Sequence, residues 1–211
     1  LPLKKAFQMN GKPFLFYNGS VHFDRNFSFV FKDPPMPYQI NQESEKYRTP
    51  LFTVKSVNLS FPDGLDREYD LIEIQDAVTI LPMADNGEIY FVSQFRIGAR
   101  KELLELPAGK IEKGEDPLLS AKRELREEIG MSARIWNHLG DFYMTPGYAT
   151  EFMHCYLAQG LWSDPLDPDL DEFLNLSRIP WQKVREMIEN KAIEDSKSLA
   201  VFMLAARFLP Q

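Results

Sequence analysis

The 211-residue chain carries 31 acidic against 24 basic side chains, a formal charge of −7, which weighs against a protein that grips a bare phosphate backbone, since that needs clustered Lys and Arg. With 44% hydrophobic and 26% charged residues and no run of roughly 18 apolar residues, it reads as a folded globular chain without a membrane helix. One cysteine, Cys155, excludes an internal disulfide and a multi-Cys metal centre and fits a reducing cytoplasm, while a start at Leu1 without Met or a hydrophobic signal core suggests a trimmed end.

Residues 1–50 are rich in Phe, Pro and Asn. Short apolar runs such as Pro13-Phe-Leu-Phe-Tyr and Phe27-Ser-Phe-Val-Phe are broken by Asn18-Gly19 and Pro34-Pro35, which predicts short strands joined by turns. Residues 52–61 alternate as a strand, Pro62-Asp63-Gly64 turns the chain, and 68–74 returns. Residues 77–82 and 89–95, separated by Asn86-Gly87, read as a hairpin. A short apolar stretch at 103–106 precedes Pro107-Ala-Gly109. The spacing then predicts a helix over 117–129, with Pro117 at its first turn and Gly130 past its end. Strands follow near 133–143 and 152–158, then an acidic loop 163–172, a strand near 173–179, and helices near 181–190 and 195–208. Early strands, one helix between strands and closing helices imply a mixed sheet covered on its faces.

On a helix over 117–129, Leu118, Ala121, Leu125 and Ile129 form one apolar stripe. Glu124 and Glu128 stack beside it, with Glu127 a quarter turn away. Arg123 is four residues before Glu127 and pairs with it, whereas Glu124 and Glu128 are expected to lack a cation on their own face. Like charges so placed repel, more strongly near a core edge, and a hard divalent cation with oxygen ligands is the natural compensation. A Glu-rich helix alone is as a rule a solvated face. The full spacing is what distinguishes this one: Gly109, Glu115, Arg123, Glu124, Leu125, Glu127, Glu128, Gly130 and Met131 occupy nine constrained positions in a 23-residue window.

This stretch resembles the Nudix box at every fixed position. The resemblance implies an α/β fold, an α/β/α sandwich around a mixed sheet, with a β-rich N-terminal arm at 1–70 and the hydrolase domain at 71–211. It implies metal-dependent cleavage of the pyrophosphate in a nucleoside diphosphate linked to another group, with Mg²⁺, or alternatively Mn²⁺. Carried over by position, Glu124, Glu128 and the Ala108 carbonyl are metal ligands, Glu127 is a ligand or neighbour, Arg123 orients a helix carboxylate and Glu115 braces the loop. The cations also explain how an acidic protein holds a pyrophosphate.

Ser93-Gln-Phe-Arg96, Glu102-Leu-Leu-Glu105-Leu-Pro-Ala-Gly109, and Pro146, which lies 15 residues beyond Met131, look like the ADP-ribose pyrophosphatase branch. In that branch Arg96 and Glu105 contact substrate, and an acid of the 167–173 stretch serves as general base. Glu172 is the favoured candidate, ahead of Asp169 and Asp171. Glu151 is a contact or an ordinary turn carboxylate, and Asp195 or Ser196 an N-cap. The aromatics Phe14, Phe16, Tyr17, Phe29 and Phe31 are core or interface residues more often than adenine platforms. The implied partners are a small nucleoside diphosphate sugar and a second copy in a homodimer, with neither nucleic acid nor membrane. Alternatives are another nucleotide preference (GDP-mannose, UDP-glucose, a dinucleoside polyphosphate) or a non-catalytic ligand sensor, which has no need of the complete glutamate set.

Overall fold

The computed structural model describes residues 7–9, 12–14, 38–166 and 174–210, and the chain forms two compact units, Leu1–Pro37 and Tyr38–Gln211. In the first unit, β1 (Phe7–Met9) and β2 (Lys12–Phe14) make an antiparallel ribbon with Phe7 opposite Phe14. The runs at 15–17 and 27–31, and the acidic residues 167–173, lie outside the described residues.

The second unit opens with an antiparallel sheet of β3 (Gln39–Arg48), β4 (Phe52–Ser60) and β5 (Asp66–Ile74), in that order. The β4–β5 pair follows the expected course, with the amide of Gly64 donating to the Phe61 carbonyl at the turn (2.9 Å). Strand β3 carries no apolar alternation, since Ile40 and Tyr47 are its only large apolar residues and all ten positions are exposed. The expected boundary between residues 70 and 71 falls inside β5.

The main sheet runs β10 (Met131–Tyr143), β11 (Phe152–Ser163), β6 (Ala77–Met83), β7 (Glu88–Arg96), β12 (Asn175–Pro180), with β8 (Lys101–Glu105) on β7 and β9 (Ala108–Lys110) on β6. It is mixed, because β6 is parallel to β11 while the other pairs are antiparallel. Central placement and cover on both faces explain why β6 is an unbroken buried run from Ala77 to Pro82.

The hairpin expected at 77–95 exists only at its turn. Gly87, at φ +80°, donates to the Ala84 carbonyl (2.9 Å), and Met83 pairs with Ile89. The strands then part. Residues 101–110 fill the opening, with β8 extending β7 and β9 extending β6, and the Pro107 carbonyl accepting from the Ile80 amide (2.9 Å).

Helix α1 (Pro117–Ile129) covers one face, where Ala121 and Leu125 join Val78, Ile80, Tyr90 and Tyr156. Helices α2 (Trp181–Glu189) and α3 (Ser196–Leu204) cover the other, placing Val184, Val201 and Phe202 against Leu81, Phe91 and Leu157. The result is the α/β/α sandwich. Helix α3 is shorter than the predicted 195–208, since Ala205 caps it and turns continue to Phe208. Among the described residues no helix is long and apolar enough to cross a membrane.

Candidate active site

Helix α1 begins and ends where its sequence dictates. The Asp116 carboxylate accepts from the amides of Leu118 and Leu119 (2.9 and 3.1 Å), and Gly130 closes the helix in the left-handed region at φ +67°. Burial of Ala121, Leu125 and Ile129 against the sheet then fixes the rotation of the helix, turning the glutamate side toward the 105–115 segment.

Glu124 is 7% exposed and packs on Gly109. A Cβ at residue 109 would sit 1.9 Å from the Glu124 carboxyl carbon and 2.0–2.2 Å from its oxygens, so only glycine permits this approach. On the neighbouring turn, Glu128 Oε2 accepts from the Ala108 amide (2.9 Å). Strand β9, a three-residue strand with a glycine at its centre and too short for a periodic signal, thereby touches two of the helix glutamates through its backbone.

Arg123 ties the carboxylates together. Its Nη1 donates to Glu124 (2.7 Å) and Glu127 (2.8 Å), and its Nε and Nη2 donate to Glu115 (3.1 and 3.0 Å). Nη2 also reaches the Lys110 carbonyl (3.0 Å). The expectation that Glu124 lacks a cation is corrected here, because the guanidinium of Arg123 reaches this immediate neighbour, while Glu128 accepts from a backbone amide. Hydrogen bonding to Glu115 holds Arg123 firmly protonated, and the same contact keeps the Glu115 carboxyl below its usual range. Glu115 also accepts from the Glu112 amide (2.9 Å), bracing the turn before α1.

A second charged group faces the same open cleft of about 910 Å³, whose walls include Ala108, Gly109, Arg123 and Glu124. Arg96, at the end of β7, binds Glu105 through two parallel hydrogen bonds (2.8 and 2.7 Å). The Glu105 side chain is 1% exposed and is also bonded by Lys197, which Asp195 contacts at 3.1 Å. Burial pushes the Glu105 carboxyl upward, but the hydrogen bonds from Arg96 and the charge of Lys197 prevail and leave it lowered. Glu105, expected to touch substrate, lines the same cleft and is bonded there by both Arg96 and Lys197. Asp195 is the N-cap of α3, accepting from the Ser198 amide (2.9 Å), and Ser198 Oγ accepts from the Leu106 amide (2.8 Å).

Lys197 escaped sequence reasoning. Its signal was indirect, because a glutamate inside Leu-Leu-Glu-Leu is buried and a buried carboxylate needs a buried cation. Glu151 lines the cleft as well, and burial raises its carboxyl above the usual range against the opposing charges of Lys197, Arg96 and Lys110. Glu172, Asp169 and Asp171 lie outside the described residues.

The chemistry of this wall is specific. Three carboxylates, Glu115, Glu124 and Glu127, meet one guanidinium, and Glu128 stands one helical turn from Glu124. Such a set of oxygen donors suits a hard divalent cation.

Comparison with known proteins adds a lineage. The NUDIX domain family model matches residues 73–202. The chain is 33% identical over 143 residues to an ADP-ribose pyrophosphatase of Bacillus subtilis, covering 67% of this chain and 77% of that protein. It is 29% identical over 164 residues to the ADP compounds hydrolase NudE of Escherichia coli K12, covering 77% and 88%. A crystal structure of an ADP compounds hydrolase superposes with a TM-score of 0.74 at 28% identity, over 81% of this chain and 93% of that one.

Proposed function

The chain belongs to the NUDIX family, and from that premise we propose that it is a metal-dependent pyrophosphohydrolase. Its substrate is ADP-ribose or a related nucleoside diphosphate sugar, and its products are a nucleoside monophosphate and a sugar phosphate. The observation that carries this reading is the gathering of Glu115, Glu124 and Glu127 on Arg123, with the Glu124 carboxylate seated on the bare backbone of Gly109.

Glu124, Glu128 and the Ala108 carbonyl hold the divalent cation, with Mg²⁺ favoured by the oxygen-only donors. When bound, the cation offsets pyrophosphate charge and lowers the pKa of the attacking water. Arg123 keeps Glu124 and Glu127 aimed, so little reorganisation is left to the reaction itself. Arg96 offers a cation to the substrate phosphates, and Glu105, backed by Lys197, holds that guanidinium in register. Glu172 is the general base in this reading, an assignment supported by the acidic sequence around it.

Among the described residues β3 is a long exposed sheet edge with Ile40 and Tyr47 on its surface, which supports a homodimer, because such an edge is a liability unless covered. A cytoplasmic location is supported by cysteine usage, since the lone Cys155 leaves no internal disulfide to form. The net charge of −7 argues for a small metal-bridged ligand over nucleic acid.

The test is a panel of nucleoside diphosphate sugars with Mg²⁺, with products separated by chromatography. AMP and ribose 5-phosphate from ADP-ribose are expected, and no turnover of any member would overturn the reading.

A further inference from the structure

A second cluster of ligating side chains stands on strands β10 and β11, outside the glutamate site. His138 and Asp141 are three apart on β10, a separation that in a regular strand sends side chains to opposite faces. Here the register slips between His138 and Gly140, and Gly140 adopts φ +144°. The bulge restores both side chains to one face, as such irregularities do where a side chain must be re-aimed. Past the bulge, Asp141 pairs directly with His154 of β11. Asp141 Oδ1 lies 2.6 Å from His138 Nε2 and 3.0 Å from His154 Nδ1, and the three donor atoms fall within 4.8 Å of one another.

The geometry points to a metal site made by His138, Asp141 and His154, taking a nitrogen-preferring divalent transition cation of the Zn²⁺ class. Two imidazoles and one carboxylate are the donors such a cation selects, in contrast to the all-oxygen set on α1. With bonds of about 2.1 Å, donors at the corners of a tetrahedron stand about 3.4 Å apart, so the aspartate needs only a small retreat from each ring. His138 is 50% exposed and has freedom to adjust, while His154, at 18%, is held by Phe152 edge-to-face at 5.2 Å. His154 also lines an open cleft of about 670 Å³, which gives an ion and its remaining water ligands a way in.

The test uses the full chain, freed of metal, and measures Zn²⁺ uptake by calorimetry and the visible absorption of bound Co²⁺. Both readouts are independent of hydrolysis. Expected is one Zn²⁺ equivalent that survives in Glu128→Gln and is weakened more than about 10-fold in His138→Gln. Co²⁺ is expected to give the intense band of a low-coordinate nitrogen site, lost in His138→Gln and in His154→Gln. His138 is exposed, so its variant keeps the fold, which circular dichroism verifies. Equal Zn²⁺ affinity in wild type and His138→Gln, or no uptake by the wild type, would overturn the site and leave the trio as a hydrogen-bonded cluster.

Discussion

Gly109 lies so close to Glu124 that a methyl group on its Cα would stand 1.9 Å from the carboxyl carbon of that glutamate. The contact joins a strand of the central sheet to the helix that carries the proposed metal-ligand carboxylates, and it makes the first prediction. Gly109→Ala should leave folding nearly intact, because the obstruction is the end of a flexible side chain. Turnover should fall about 10²-fold, since a displacement near 1 Å at a reacting centre has an effect of that size. Thermal denaturation and steady-state kinetics measured side by side check it, and unchanged turnover would remove Glu124 from the site.

Glu128→Gln keeps an oxygen for the Ala108 amide but loses the charge. Stability should change little. Turnover with Mg²⁺ should drop about 10³-fold, the rate equivalent of several kcal/mol of lost electrostatic stabilisation. Hydrolysis of ADP-ribose at the wild-type rate would refute the ligand assignment.

Arg123→Lys is not a conservative change, because an ammonium cannot span Glu115, Glu124 and Glu127 as the planar fork does. A loss of about 1–3 kcal/mol is expected from carboxylates left short of partners. The pH dependence gives a sharper readout. The native carboxyl of Glu115 is lowered by Arg123, so its contribution is present above the unfolded value and lost as pH falls through the folded one. The variant should therefore begin acid unfolding at a higher pH than the wild type, monitored by tryptophan fluorescence.

Glu151 carries the opposite sign. Burial raises its carboxyl, so the ionised form is penalised in the native state. The penalty is complete above the folded value and absent below the unfolded one. Glu151→Gln should raise the melting temperature at pH 7, with the gain shrinking as the pH is lowered through the carboxylate range. Accompanying loss of turnover would mark Glu151 as part of the working cleft.

Much of this molecule is legible from sequence where local signals are redundant. Helix α1 begins at Pro117 and ends at Ile129 as its caps, proline and apolar stripe together dictate. A mixed sheet covered on its faces follows from the same kind of reading, because the run at 77–82 and the two closing helices show in the pattern. What fails is information carried between distant segments. No local pattern reports that β9 enters between β6 and β7, and the Asn86-Gly87 turn alone suggests a full hairpin. Helical spacing rules pair residues three and four apart, so they overlook the bond from Arg123 to adjacent Glu124, which its long flexible stem permits. The His138–Asp141–His154 cluster is hidden for a similar reason, since a period of two holds only until the bulge near Gly140.

The parting of β6 and β7 has a consequence for heat inactivation. Ala108 and Gly109 pair with Thr79 and Val78 of the buried central strand, so the backbone beneath the glutamates is tied directly to the core of the sheet. The glutamate wall on this segment should therefore keep its arrangement until the sheet itself melts on a slow temperature ramp. Amide hydrogens of this segment should accordingly exchange at the rate of the innermost strands.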